Sequence, residues 1–121
     1  MATTRQRRVS ELLKVEVSHI LQREVTDPRV GFVTVTEVTV TPDLREARVF
    51  VSVMGERERR EEALKGLQHA AGFVRTQLAR RIDLRVTPEV TFALDDSLER
   101  GTRVVSLLEQ LDAQRKKDEK E

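Results

Sequence analysis

The sequence predicts an α+β domain in which helices cover one face of a three-stranded sheet. Three observations carry this. Valines alternate with polar residues in two adjacent runs, Phe32 to Val40 and Ala47 to Val53, split by the turn-forming Thr41-Pro42-Asp43. Leu64, Leu67, Ala71, Val74 and Leu78 then recur at spacings of three and four, the buried face of a helix. A third alternating run, with Val86, Pro88, Val90, Phe92 and Leu94 on one side, follows at about Arg85 to Leu94. The predicted order is helix, strand, strand, helix, kink, helix, strand, with a further C-terminal helix.

The first helix is expected from about Thr4 to Val25, with Val9, Leu12, Leu13, Val17, Ile20 and Leu21 on its apolar side. Arg5, Arg7 and Arg8 stand at its start, where the helix dipole favours acids, so an external anion is one explanation and a solvated basic terminus the other. Asp27-Pro28-Arg29-Val30-Gly31 reads as a loop, because proline cannot continue the helix. In the first strand the valines change phase, from Val33 and Val35 to Val38 and Val40. A one-residue bulge near Thr36–Glu37 puts all four on one face. The second strand turns Ala47, Val49, Val51 and Val53 inward and Arg48, Phe50 and Ser52 outward, and Gly55 closes the hairpin. Glu56 to Glu62 is a charged helix entry.

The next helical stripe contains Ala70-Ala71-Gly72. Glycine in a helix interior costs about 1 kcal/mol relative to alanine, so it calls for a bend or a close backbone approach. The expectation is a kink at Ala70–Gly72 between two helices, where Gly72→Val would strain the junction. Close helix packing alone is the alternative. Proline in the third strand argues for an edge or an early position. Asp95-Asp96-Ser97 offers a helix cap, with Glu99 near the third helical position. Leu98, Gly101, Val104, Val105, Leu108 and Leu111 make the last helical stripe. Residues 1–113 are read as one domain, and 114–121 as a charged, disordered tail.

The net charge of +1 hides an uneven distribution. Residues 64–88 carry Lys65, Arg75, Arg80, Arg81 and Arg85 against Asp83 alone, a net of +4, while residues 32–63 and 89–121 are net acidic. A basic middle steers polyanions to one face. With no cysteine there is no disulfide, thiol nucleophile or thiolate metal site. No apolar run is long enough to span a bilayer and no leader pattern is present, so a cytoplasmic protein is expected. His19 and His69 lack ligand spacing and read as surface residues. Asp95 and Asp96 suit capping better than acid–base chemistry, and Ser97 has no nucleophile elbow. Of the four phenylalanines, Phe32, Phe73 and Phe92 fit core positions and only Phe50 faces outward. Recognition of RNA shape and phosphate is therefore expected, with little base discrimination.

Several stretches, taken in order, resemble the ribosome-binding factor A family up to about Leu111. They are Arg8-Val9, Ile20-Leu21-Gln22-Arg23-Glu24, Asp27-Pro28-Arg29 with Gly31, and Asp43-Leu44 before the alternating Ala47 to Val53. Then come Ala70-Ala71-Gly72-Phe73 with Arg75, Pro88-Glu89-Val90-Thr91-Phe92, and Asp96-Ser97-Leu98 with Gly101 and Arg103. The resemblance implies a type II KH-like fold whose GxxG loop is replaced by an Ala-x-Gly kink, fitted here by Ala70, Ala71 and Gly72. It implies a non-catalytic, cofactor-free monomer that binds the immature 30S subunit near its neck, assists late 16S rRNA maturation and supports growth in the cold. The RNA-binding set expected from charge and kink is Arg5, Arg7, Arg8, Lys65, Ala70, Ala71, Gly72, Arg75, Arg80, Arg81 and Arg85. The alternative is a protein-interaction module of the translation machinery with no RNA contact. A processing enzyme is disfavoured, since no carboxylate cluster or metal-ligand set is evident.

Overall fold

The computed structural model describes residues 2–95. In these, α1 (Thr4–Arg23) is followed by β1 (Val33–Val40), β2 (Glu46–Val53), α2 (Arg57–Arg81) and β3 (Glu89–Leu94). The expected C-terminal helix, its Asp96/Ser97 cap and the charged tail lie outside the described residues.

The sheet order is β1-β2-β3. β1 and β2 pair antiparallel, and β2 and β3 pair parallel with Ala47 opposite Val90 and Val49 opposite Phe92. The long α2 is thus the crossover that a parallel pair demands. The bulge lies where the valine phase placed it. The register shifts between Val35 and Glu37, so Val33, Val35 and Val38 are all buried. Pro88 is buried just ahead of β3, an edge strand that loses no ladder hydrogen bond to it. In the β1–β2 turn Leu44 adopts φ +61° and its side chain is buried.

Helix α1 begins at a capping box: the Gln6 N–H donates to Thr3 Oγ1 at 3.1 Å, and the Thr3 N–H donates to Gln6 Oε1 at 2.9 Å. The buried Gln6 also donates from Nε2 to the Val40 carbonyl at 3.0 Å, tying the start of α1 to the end of β1. Val9, Leu13, Val17, Ile20 and Leu21 face the sheet. Leu12, expected on that face, is exposed because it falls about 100° round the helix from Leu13.

Two expectations about α2 are corrected. The helix runs unbroken from Arg57 to Arg81, where two helices joined at Ala70–Gly72 were expected. Gly72 is exposed, and a Cβ built there meets nothing within 4 Å. The close approach is instead at Gly66, where a Cβ would lie 3.0 Å from Val30 Cγ2, 3.1 Å from Arg29 Cβ and 3.4 Å from the Val30 nitrogen. Without a side chain at 66, the Asp27–Gly31 loop packs directly on the helix.

Candidate nucleic-acid interface

Arg59, about two turns before Gly66, holds the same loop: its Nη1 donates to the Arg29 carbonyl at 2.7 Å and Nη2 to the Val30 carbonyl at 3.4 Å. Gly31, at φ +56°, leaves room for that guanidinium. Within the loop, Asp27 accepts from the Arg29 backbone N–H at 2.9 Å and from its guanidinium at 2.7 Å. These hydrogen bonds hold the Asp27 carboxyl down at about 2, first through the Arg29 side chain and then through its N–H.

The loop and the end of α1 border a cleft of about 300 Å³ lined by Glu24, Val25, Thr26, Asp27, His69, Ala70 and Phe73. Phe73, expected in the core, is 43% exposed here. The core row of α2 runs through Ala63, Leu67, Val74 and Leu78, and Phe73 lies about 100° from Val74, off that row. Phe32, also expected in the core, is 78% exposed because it precedes Val33 and so takes the opposite side of the strand. Phe92 is buried as expected.

The cations expected to bind RNA divide into two groups. Arg81 is tied inside the molecule, donating to Glu24 and lying 3.6 Å from Glu16. Arg75 donates to the Thr87 carbonyl at 3.1 Å and approaches Glu89 at 4.0 Å, bracing the approach to β3. These two serve the fold. Arg5, Arg7 and Arg8 project from the first turns of α1, and Lys65, Arg80 and Arg85 are likewise exposed. Among the described residues none of these six forms an ion pair. Ala70 and Ala71 are half-buried. Sequence reasoning missed Phe73 as a surface group of the cleft and Arg59 and Gly66 as its supports, while His69, read from the sequence as a surface residue, is exposed and lines the cleft. The available signal was helical phase: Lys65, His69, Gly72, Phe73, Thr76 and Arg80 share one face of α2, opposite Leu67 and Val74. No cluster of three or more potential metal ligands occurs among the described residues, and no helix there is long and apolar enough to cross a membrane.

The family model for ribosome-binding factor A matches residues 5–108. The chain is 46% identical over 121 residues to ribosome-binding factor A of Halothermothrix orenii, covering 100% of this chain and 99% of the relative. It is 49% identical over 111 residues to that of Natranaerobius thermophilus, covering 92% and 85%. Among solved structures, a Thermotoga maritima protein described as a putative ribosome binding factor A superposes with a TM-score of 0.68 at 34% identity, covering 77% of this chain and 89% of that one. The crystal structure of ribosome-binding factor A from Thermus thermophilus gives 0.66 at 28%, covering 74% and 94%. Coordinates of the Thermus thermophilus factor fitted into a cryo-EM map of its 30S complex give 0.61 at 29%, covering 72% and 91%. The two helices and mixed three-stranded sheet described above are the KH-like fold of these structures. By sequence over its length and by fold over its described part, this chain belongs to the ribosome-binding factor A family.

Proposed function

We propose that the protein binds the immature 30S subunit through 16S rRNA and assists its late maturation, including in the cold, without catalysing a reaction. The observation that carries this is the likeness of its fold to the factor fitted into a 30S complex. The surface supports an RNA partner: Arg5, Arg7, Arg8, Lys65, Arg80 and Arg85 are exposed without internal carboxylate partners among the described residues, as phosphate contacts require. The test is co-sedimentation with precursor and mature small subunits. Enrichment on precursor subunits is expected, and equal or absent binding to both would overturn the reading.

A second reading, docking to a protein with no RNA contact, draws on Phe32 and Met54. They flank the terminal Val33–Val53 pair and are 78% and 84% exposed. The two readings separate on salt. Phosphate contacts release counterions and give a steep fall of affinity with ionic strength, whereas an apolar contact does not.

A further inference from the structure

We infer that the cleft beside Phe73 is a stacking site for one unpaired nucleobase of single-stranded rRNA, with Lys65 and Arg80 holding the backbone on either side. This rests on the reading of the protein as a binder of small-subunit RNA, and adds which part of the RNA is taken and how.

Three observations converge on it. Phe73 is a large aromatic ring left 43% exposed on a helix whose own core row is complete without it. It lines a cleft of about 300 Å³, with His69 one turn earlier and the small Ala70 beside them. The space over Gly72, next in sequence, is open. A flat aromatic face bordered by small residues suits a base, since every base has a π-face and stacking needs no specific edge contact. The second ring, His69, is placed to flank the same guest.

Charge decides which part of the nucleotide enters. Glu24 and Asp27 form the cleft's other rim. Asp27 is paired with Arg29 and Glu24 with Arg81, so neither arginine is free to draw phosphate into the cleft, and the remaining carboxylate lone pairs accept hydrogen bonds from the amino and imino groups of a base. Two cations without ion pairs among the described residues stand at the two ends of the same helical face: Lys65 eight residues before Phe73 and Arg80 seven after, together spanning about 22 Å of helix. Phosphates on either side of the stacked nucleotide therefore meet positive charge, and the base meets the ring and the acidic rim. Arg81, on the far side and engaged with Glu16 and Glu24, instead fixes the rim carboxylate of Glu24 in place.

The chain has neither tryptophan nor tyrosine, so Phe73→Trp supplies a single indole at the site and Phe32→Trp one away from it. Each is titrated with purified precursor small subunits. The indole at 73 is expected to be quenched by base stacking, and the one at 32 to be unchanged. Phe73→Leu keeps apolar volume and removes the ring. It is expected to weaken subunit binding between about fivefold and a hundredfold, with unaltered melting temperature and an unaltered slope of log affinity against log salt. Lys65→Ala and Arg80→Ala are each expected to flatten that slope. Wild-type affinity in Phe73→Leu, or an indole at 73 that shifts to the blue without quenching, as in a protein contact, would overturn the stacking site while leaving subunit binding intact. Failure of the wild-type protein to bind subunits would defeat the broader reading and this one together.

Discussion

A methyl group added at Gly66 would press on Val30 and Arg29, and one added at Gly72 would meet nothing within 4 Å among the described residues. The two glycines of α2 therefore predict opposite outcomes. Gly72→Ala gains helix propensity at no steric cost and should stabilise the protein by about 1 kcal/mol, read as a melting-temperature rise of several degrees. Gly66→Val should destabilise it by about 1–3 kcal/mol, since the fully buried Val30 has nowhere to move. Thermal melts of both variants check this, and equal effects would refute the placement of the close approach. Asp27 gives a pH signature at the same scale. Its carboxyl, held at about 2 by Arg29, contributes stability that is present above the ordinary carboxylate value and lost as pH falls through about 2. Carbon-detected NMR titration should place the midpoint near 2 in the wild type, and Arg29→Gln should move it up toward the ordinary range.

The loop between α1 and β1 behaves as an element in its own right. It is pinned on one side by the missing side chain at 66 and on the other by the Arg59 guanidinium, which donates to two successive carbonyls. Removing that fork leaves two half-buried acceptors without a protein donor, so Arg59→Ala should cost about 1–3 kcal/mol. Amide exchange should accelerate in residues 27–31 before it does in the sheet. Arg59→Lys should restore only part of the loss, because an ammonium lacks the planar fork that spans both carbonyls. Of the elements, β1 was the most legible in the sequence. Its phase change from Val35 to Val38 located the bulge, since a period of two leaves no other way to bury both. Helix α2 was legible in its buried row but not in its continuity. A glycine within a helix is tolerated when neighbouring residues carry the packing, as Leu67, Val74 and Leu78 do here.

For the molecule as a whole, adjacent arginines of one basic stretch do different work. Arg81 faces Glu16 on α1 and Glu24 at its C-cap and joins the two helices. Arg81→Ala should therefore lower stability by up to about 1 kcal/mol, a pair of this partial exposure being worth no more, with the salt dependence of subunit binding unchanged. Arg80, free of ion pairs among the described residues, should show the reverse: an unchanged melt and a salt slope reduced by somewhat less than one unit. A salt titration of subunit binding beside melts of the two single variants makes the comparison. Identical behaviour would place both arginines on one surface, as the charge count alone suggested.

The alternation of valines, the spacing of leucines and the position of Pro88 sufficed to determine three strands, the buried rows of α1 and α2 and one covered sheet face, because burial of apolar side chains at fixed periods dictates them locally; that α2 is one helix and not two was not among them. The family was likewise legible, in motifs spread along the chain. What only the tertiary structure decided is which exceptions to those patterns carry meaning. Gly66 matters because residues 29 and 30, distant in sequence, cross it; Gly72 does not, because none of the described residues does. Phe73 lies outside the core because the row beside it already fills the contact with the sheet. Arg75 and Arg81 are spent on Thr87, Glu89, Glu16 and Glu24, partners that no spacing in the sequence brings near. Periodicity reports which face of an element is buried, and only the packing of other elements determines what stands opposite each residue.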